Sequence, residues 1–482
     1  MNVFGDLTGD EFTPYALRGY FDNGGQVAYV VRLLGAGSQC ASAAWNVGTF
    51  DAATGKLDPD WPGASGLQAI QYQFAAASPG DWANDLAIEI RYWAHGPSGK
   101  PELEMEITPP NEIPEIIQGI DPASIVSDVA AQSSYVRLTA ANLPPGLQPA
   151  ALSAAPAGPR YREWQPPIKL AGGTSVPPAK ADYLAAVQSL GDESEVALVA
   201  CPDLYHPDFP VEADQIEVLT AMLTQAALLH DRLVLVDVPP AYADPIDAVR
   251  WVQSLRGLPQ LDDETILRNG AVYHPRLLVP DPLGGVTAPL RCVPPSGLVA
   301  GVISRLDVQR GAYYTPANAP IYEAVDLSRP LDAGQQAVLY QGGINLLRCS
   351  PGQGLLVWGG RVLGLEPLGS FVAHRRLIHL LIRAIHRVAE PLVFDTNGPT
   401  LWLAFVRSIT SVLLEAFRAG ALKGDTPDQA FQVVCDATTN PPEQIDEGIV
   451  VCIVQVAPAV PMEFITLRVV VSAQGQLEVF ES

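Results

Sequence analysis

The strongest constraint in this sequence is a rhythm that begins near residue 181. "EVALVACPDL" is a continuous apolar run ending in a polar turn, "DQIEVLTAMLTQAALLH" has helical periodicity, and "RLVLVDVPP" is a second apolar run. "PIDAVRWVQSLRGL" is again helical in spacing, "NGAVYHPRLLVPDP" gives a third apolar run, and "PPSGLVAGVISRLDVQRG" one more helix. A strand without polar alternation has both faces buried, and helices between such strands are the crossovers that parallel pairing requires. The expectation over 181–364 is an α/β domain on a parallel sheet covered on both faces.

The flanks differ. In "TPYALRGYFDNGGQVAYVVRL" (13–33), Thr13 can cap a helix and Pro14 suits its first turn. Phe12, Tyr15, Ala16, Tyr20 and Phe21 keep one apolar face, Asn23 and Gly24 supply a left-handed stop, and "QVAYVVRL" reads as a strand. Residues 1–45 are therefore expected to belong to the α/β core. Over 46–165, "DLAIEIRYWA", "PELEMEITPP" and "SSYVRLTAAN" read as short strands, and "LPPGLQPAALSAAPAGPR" as a Pro-rich exit. This predicts an inserted β-rich domain, with a linker over 166–180. Residues 365–482 read as an α+β domain. It has a helix over "FVAHRRLIHLLIRAIHRVA", a strand and turn at "LVFDTNG", and a helix over "PTLWLAFVRSITSVLLEAFRAGAL" closed by Gly424. Three strands then follow, in "AFQVVCDA", "GIVVCIVQVAP" and "EFITLRVVVS".

Length and charge narrow the function classes. A chain of 482 residues implies two to four domains. Asp and Glu outnumber Lys and Arg 52 to 29, a net charge of −23 that argues against a nucleic-acid binder. No apolar run approaches the roughly 20 residues of a membrane span, and "MNVFGDLTGDEF" lacks the basic and apolar regions of a signal peptide. The six cysteines, at 40, 201, 292, 349, 435 and 452, show no C-x-x-C spacing. They read as reduced, mostly buried thiols of a cytosolic protein.

Chemistry is hard to find. Open α/β sheets bind ligands at the carboxyl ends of their strands, and the polar residues expected there are Asp203, His206, Asp237, His274 and Ser296. Asp237, His274 and Ser296 have the residue types of a hydrolytic triad. Those types recur by chance in a long chain, and turn or helix-capping roles explain them better. His374, His379 and His386 are spaced by five and seven residues, not the i, i+4 of a metal pair. A solvated or interface face accounts for them. The Gly-Gly pairs in "LAGGTS" and "YQGGIN" lack a phosphate-loop pattern and read as turns. Catalytic, cofactor-binding and metal residues are all expected to be absent.

Taken in order, several stretches resemble the sheath proteins of contractile tails: phage tails, R-type pyocins and phage-tail-like extracellular injection systems. They are "YALRGYFDNGGQVAYVVRL", "ASPGDWANDLAIEI" (77–90), "LAGGT", "DYLAAVQSL" with "EVALVACPDL", and "VPPSGLVAGVISRLDVQRGAYYTPANAPI" (293–321). "GINLLRC", "GLLVWGGRVL", "FVAHRRL", "VFDTNGPTLW", "GALKGDTPDQAFQVVCDATTN" and "APAVPMEFITLRV" complete the order. The segment 293–321 is the most specific, with PPSG, AG, R-D, G and PAN in sequence.

The resemblance implies a multidomain α/β sheath protein. Its central domain would be subtilisin-like but without the protease's triad, and its C-terminal α+β domain would carry an extended terminal arm. It implies no enzymatic activity and no cofactor. The partners would be copies of the chain itself in stacked six-subunit rings, an inner tube protein, and baseplate and cap proteins. Assembly would be cytoplasmic, in a phage-tail-like particle that is released or membrane-anchored. The sleeve would shorten from a metastable extended helix and drive the tube into a target. The C-terminal arm would lend a strand to a neighbour through Leu467, Val469, Val471, Leu477 and Val479. The helix after "NGPT" would face the tube with Arg407, Glu415 and Arg418. The family's upstream arm has no counterpart in "MNVFGDLTGDEF", which points to a late start or to a variant at one end of the sleeve, such as a baseplate- or cap-proximal terminator. A hydrolase on the same scaffold is the remaining alternative.

Overall fold

A computed structural model describes residues 11–51, 56–58, 68–93, 102–110, 113–121, 124–142, 161–365, 370–392, 394–459, 465–471 and 477–481. The chain forms two compact units: Met1–Asp6 with Arg32–Asp182, and Leu7–Val31 with Tyr183–Ser482. Helix α1 (Thr13–Asp22) comes first. Beyond it, residues 25–35 form no strand. The expected strand "QVAYVVRL" has the right propensity but no ladder partner among the described residues, and Val27, Tyr29 and Val31 stay exposed.

The β-rich unit holds β1 (Ser42–Asp51), β2 (Lys56–Asp58), β3 (Gln68–Ala76), β4 (Ala87–Trp93), β5 (Glu102–Thr108), β6 (Glu115–Ile120), helix α2 (Ile125–Gln132), β7 (Val136–Asn142) and β8 (Tyr161–Lys169). They make two antiparallel sheets, ordered β2-β1-β3-β7 and β6-β5-β4-β8, around one apolar core. Alternation sets the faces. Ile88 and Ile90 of β4 and Leu103, Met105 and Ile107 of β5 point inward. On the outer face, Arg91 meets Glu89, Glu104, Glu106 and Glu163 at 2.7–3.3 Å. Residues 166–169 are not linker, as expected above, but the end of β8. Pro166 and Pro167 are tolerated because β8 is an edge strand and they fall where its register to β4 shifts, between the Trp164–Ile90 and Ile168–Ile88 pairs. The β-rich unit thus extends beyond 46–165 at both ends.

The second unit continues with α3 (Lys180–Ser189), β9 (Leu198–Ala200), α4 (Glu212–Leu229), β10 (Leu233–Asp237), α5 (Pro245–Arg256), α6 (Glu264–Leu267), β11 (Gly270–His274), β12 (Leu277–Pro280) and β13 (Leu290–Val293). Then come α7 (Ser296–Arg310), β14 (Ala319–Pro320), β15 (Asp326–Leu327), α8 (Ala333–Gln341), β16 (Asn345–Ser350) and β17 (Gly354–Trp358). The main sheet is ordered β14-β17-β16-β11-β10-β9. Strands β9, β10, β11 and β16 run parallel, and β17 and β14 add antiparallel strands at one edge. Every residue of β10 and β11 is buried, as their unbroken apolar runs require. The third apolar run divides at Pro275 into β11 and β12, and β12 joins a separate small sheet with β13 and β15.

The C-terminal part has α9 (Val372–Ala389), α10 (Pro399–Arg418), α11 (Pro427–Ala430), β18 (Phe431–Val434), α12 (Pro442–Asp446), β19 (Val450–Val456), β20 (Ile465–Val471) and β21 (Leu477–Glu481). Its sheet, β18-β19-β20-β21, is antiparallel and shares a core with α9 and α10. "LVFDTNG" forms no strand. A short 3-10 turn runs over Glu390–Leu392, and Phe394 is almost fully exposed. Gly420, in the left-handed region (φ 80°), closes α10 in place of the expected Gly424. Among the described residues α10 is the helix long and apolar enough to cross a membrane, contrary to the reading of the sequence. Leu401, Trp402, Phe405, Ile409 and Leu413 use one of its faces for the core.

Candidate functional site

The carboxyl ends of β9, β10 and β11 are where an α/β sheet of this kind binds ligands. Here the chain's own α1 occupies that place. The Asp203 carboxylate, just beyond β9, accepts the Phe12 amide at 2.6 Å and the Thr13 amide at 2.9 Å, and also takes the Thr13 hydroxyl. The cap of α1 therefore comes from a residue about 190 positions away and not from Thr13. An anionic acceptor is well placed at a helix N-terminus, where free N–H groups and the helix dipole favour negative charge. The Phe12 ring lies edge-on to His206 at 5.9 Å, under the guanidinium groups of Arg276 (4.8 Å) and Arg291 (5.5 Å).

Asp237 and Ser296 are brought together. The carboxylate at the end of β10 accepts the Ser296 amide at 3.0 Å and its hydroxyl at 2.6 Å. It thereby caps α7 from outside the helix. Burial pushes the Asp237 carboxyl up to about 6, against the lowering effects of the two Ser296 bonds and of Arg276. His274 is not part of this pair. Burial pulls it down to about 4, its Nε2 has no hydrogen-bond partner, and its bonded neighbour is the Ala243 backbone. A triad needs an imidazole to take the serine proton. Ser296 donates straight to the carboxylate, which holds the start of α7, and no imidazole stands between the two.

Small residues let α1 lie against α7. A Cβ added to Gly297 would stand 2.5 Å from the Ala16 carbonyl oxygen, and one added to Gly301 2.4 Å from that of Tyr20. One added to Gly19 would meet Leu298. Asn23, fully buried, closes the far end. Its amide donates to the Gly19 and Tyr322 carbonyls and accepts the Tyr322 N–H, while Arg305 donates to the Asn23 carbonyl. Sequence reasoning saw Asn23 only as a stop signal. The Gly297-x-x-x-Gly301 spacing on a predicted helix is the signal that would have revealed the close approach.

The α9 histidines do not converge on a metal either, and the face carrying His374 and His379 is buried, not solvated. His379 Nε2 and Asn269 Oδ1 are 2.9 Å apart, Arg375 donates to the same oxygen at 3.3 Å, and Arg376 forms a bidentate ion pair with Asp307. His374 finds no hydrogen-bond partner for either ring nitrogen. Burial holds His374, His379 and His386 below the usual histidine range, and Arg375 lowers His379 further. Gly342 and Gly343 (φ 80°) form a turn after α8, whereas Gly172 (φ 80°) lies not in a turn but between the bridged residues Ala171 and Thr174.

Arg407, Glu415 and Arg418 lie along the exposed side of α10. Leu467, Val469 and Val471 belong to β20, where they stand opposite Val454, Cys452 and Val450 of β19. Leu477 and Val479 belong to β21 and stand opposite Val471 and Val469. In the single chain these five residues thus complete the chain's own sheet, and β21 forms its outer edge.

The geometry defines a multidomain protein of mixed helices and strands in which the polar residues beyond β9 cap the chain's own α1. Comparison with known proteins identifies the family. The phage tail sheath protein central domain matches residues 178–362, and the phage tail sheath C-terminal domain matches residues 367–472. Together they span well over half of the chain, which belongs to the phage tail sheath proteins. It is 30% identical over 188 residues to the tail sheath protein of Vibrio phage KVP40, a match covering 38% of this chain and 27% of that protein. The chain thus spans little more than a quarter of the length of that relative. The fold is similar to the crystal structures of a sheath tail protein from Desulfitobacterium hafniense (TM-score 0.51, 11% identity, 92% and 95% of the two chains) and one from Listeria innocua (TM-score 0.50, 12% identity, 98% of each).

Proposed function

We propose that this chain is a structural subunit of a contractile sheath around the inner tube of a phage-tail-like injection apparatus. The observation that carries the reading is the match to the family's central and C-terminal domains in order along one chain. A scaffolding role without catalysis or cofactor is supported by two of the residues expected to face a ligand, Asp203 and His206, being engaged by Thr13 and Phe12 instead. Residues 181–364 would be the subtilisin-like domain and 365–482 the arm-bearing domain. Assembly would occur in the cytoplasm, into a particle that is released or membrane-anchored.

Heterologous contacts that do not close on themselves let six-subunit rings stack into a helix. The strand β21 is placed to leave its own sheet and occupy the same position in a neighbour's. Such a swap exchanges identical main-chain bonds at little cost, and it links subunits while their bodies repack. Contraction is then downhill if the shortened lattice buries more surface than the extended one. Polar residues on the exposed side of α10 suit a sliding contact with the tube, and baseplate and cap proteins would bound the sleeve.

Negative-stain microscopy of the purified chain, alone and with its inner tube protein, tests this. Helical sleeves are expected. Single rings or monomers under all conditions would replace the reading with an end-of-sleeve terminator, and covalent labelling of Ser296 by a serine-reactive probe would replace it with a hydrolase.

A further inference from the structure

The register of the C-terminal sheet places two of the six cysteines face to face. In the antiparallel pair β18–β19, Phe431 lies opposite Val456, Val433 opposite Val454 and Val434 opposite Ile453. One more step of the same ladder puts Cys435 opposite Cys452. Phe431, Val433, Val454 and Val456 share the face that packs on the helices, and by alternation both thiols point to it. Both are buried, Cys452 at 1% and Cys435 at 7% exposure. Directly opposed residues on antiparallel strands have Cα atoms about 4.5–5.5 Å apart, inside the range a disulfide spans.

Asn440 holds the arrangement. Its amide donates to Cys435 Sγ at 3.7 Å and to the Val451 carbonyl at 3.0 Å, and its Oδ1 accepts the Val451 N–H at 2.6 Å. The loop that follows Cys435 is thereby tied to β19 beside Cys452. The two thiols are also unequal. Proximity to Cys452 and a hydrogen bond from Asn440 favour the Cys435 thiolate, whereas Cys452 is held above the usual thiol range by Cys435 and by burial.

We propose that Cys435 and Cys452 are a disulfide-forming pair, closed by peroxide when the protein leaves a reducing compartment. The Cys435 thiolate attacks one peroxide oxygen and the O–O bond breaks. Water leaves, and Cys435 becomes a sulfenic acid. The Cys452 sulfur then attacks the Cys435 sulfur, the S–O bond breaks and a second water departs. Two thiols are oxidised, one hydrogen peroxide is reduced to two waters, and β18 is fastened to β19. The inference concerns this chain alone and does not depend on the sheath reading.

The test is oxidation of the purified full chain with hydrogen peroxide, followed by alkylation in denaturant, digestion and mass spectrometry. A linked peptide joining Cys435 to Cys452 is expected, about 2 Da lighter than the two reduced peptides together. It should be reversed by a thiol reductant and accompanied by a rise in the melting temperature. Cys452→Ser should lose the link and leave Cys435 as a trapped sulfenic acid that a dimedone probe captures. Cys435→Ser should lose both link and probe signal. Peptides of the oxidised wild type that carry alkylated Cys435 and Cys452, or disulfides formed preferentially by Cys40, Cys201, Cys292 or Cys349, would overturn the proposal.

Discussion

Ser296 gives both its amide and its hydroxyl hydrogen to the carboxylate of Asp237, at 3.0 and 2.6 Å, and both side chains are buried. These bonds offset only part of the cost of keeping a charge away from water, so Asp237 titrates near 6 instead of near 3.8. A carboxylate with a raised folded pKa contributes stability in acid, and that contribution disappears as pH rises from about 3.8 through about 6. Asp237→Asn keeps an acceptor for the Ser296 amide and removes the charge. Relative to wild type, the variant should be unchanged or weaker at pH 4 and gain up to about 3 kcal/mol by pH 7. Urea unfolding at the two pH values reads the difference, and equal effects at both would contradict the assignment.

The buried histidines act in the opposite sense. His274 is lowered to about 4, and His374, His379 and His386 are lowered as well. As pH falls below about 6.5, the unfolded chain takes up protons that the folded chain refuses, so stability present at neutral pH is lost. His274 alone accounts for about 3 kcal/mol between 6.5 and 4. Between pH 7 and pH 5 the loss from His274, which begins at 6.5, exceeds the gain from Asp237, which begins at about 6, and the other three histidines act in the same direction as His274, so stability should fall. His274→Asn should flatten that slope in a urea titration series.

The docking of α1 depends on two contacts at opposite ends. Asp203→Ala removes a charged cap and should cost about 1–2 kcal/mol. Gly301→Ala drives a methyl group toward the Tyr20 carbonyl and Asn23. Overpacking of about 1–3 kcal/mol exceeds the gain of at most about 1 kcal/mol in helix propensity. Both variants should expose residues 12–24 to amide hydrogen exchange while β10 and β11 remain protected. A uniform increase in exchange would mean that α1 is not a separable element.

The parts of this arrangement that sequence revealed are those governed by local pattern. Strands β10 and β11 were legible because each is a continuous apolar run, and α9 and α10 because their spacing is helical. The cap of α1 was not legible, because Asp203 reaches Thr13 only after the chain has folded. "QVAYVVRL" has strand propensity but no edge to join among the described residues. The candidate triad failed for a related reason. Residue types were visible, but whether Ser296 meets an imidazole or a carboxylate is decided by tertiary placement.

On α10, Arg407, Glu415 and Arg418 are exposed. Arg407→Glu should therefore shift stability by no more than about 0.5 kcal/mol. If this side faces the tube, the same change should weaken co-sedimentation with the inner tube protein, and raising salt should weaken the wild-type interaction too. Unchanged co-sedimentation would move the tube contact elsewhere.

The edge strand β21 separates folding from assembly. It pairs with β20 through Leu467–Glu481, Val469–Val479 and Val471–Leu477, whereas β20 is held independently by its full ladder to β19. Removing residues 472–482 leaves the β19–β20 ladder in place but uncovers the part of α9 against which β21 packs, so circular dichroism should show a folded chain with a lower melting point. Under the proposed function the truncated chain has no strand to lend, and microscopy should find dispersed subunits where the full chain forms sleeves. Sleeves of normal length from the truncated chain would show that neighbours are joined by body contacts alone. A chain that fails to fold would show that β21 belongs to its own domain and is not free to leave it.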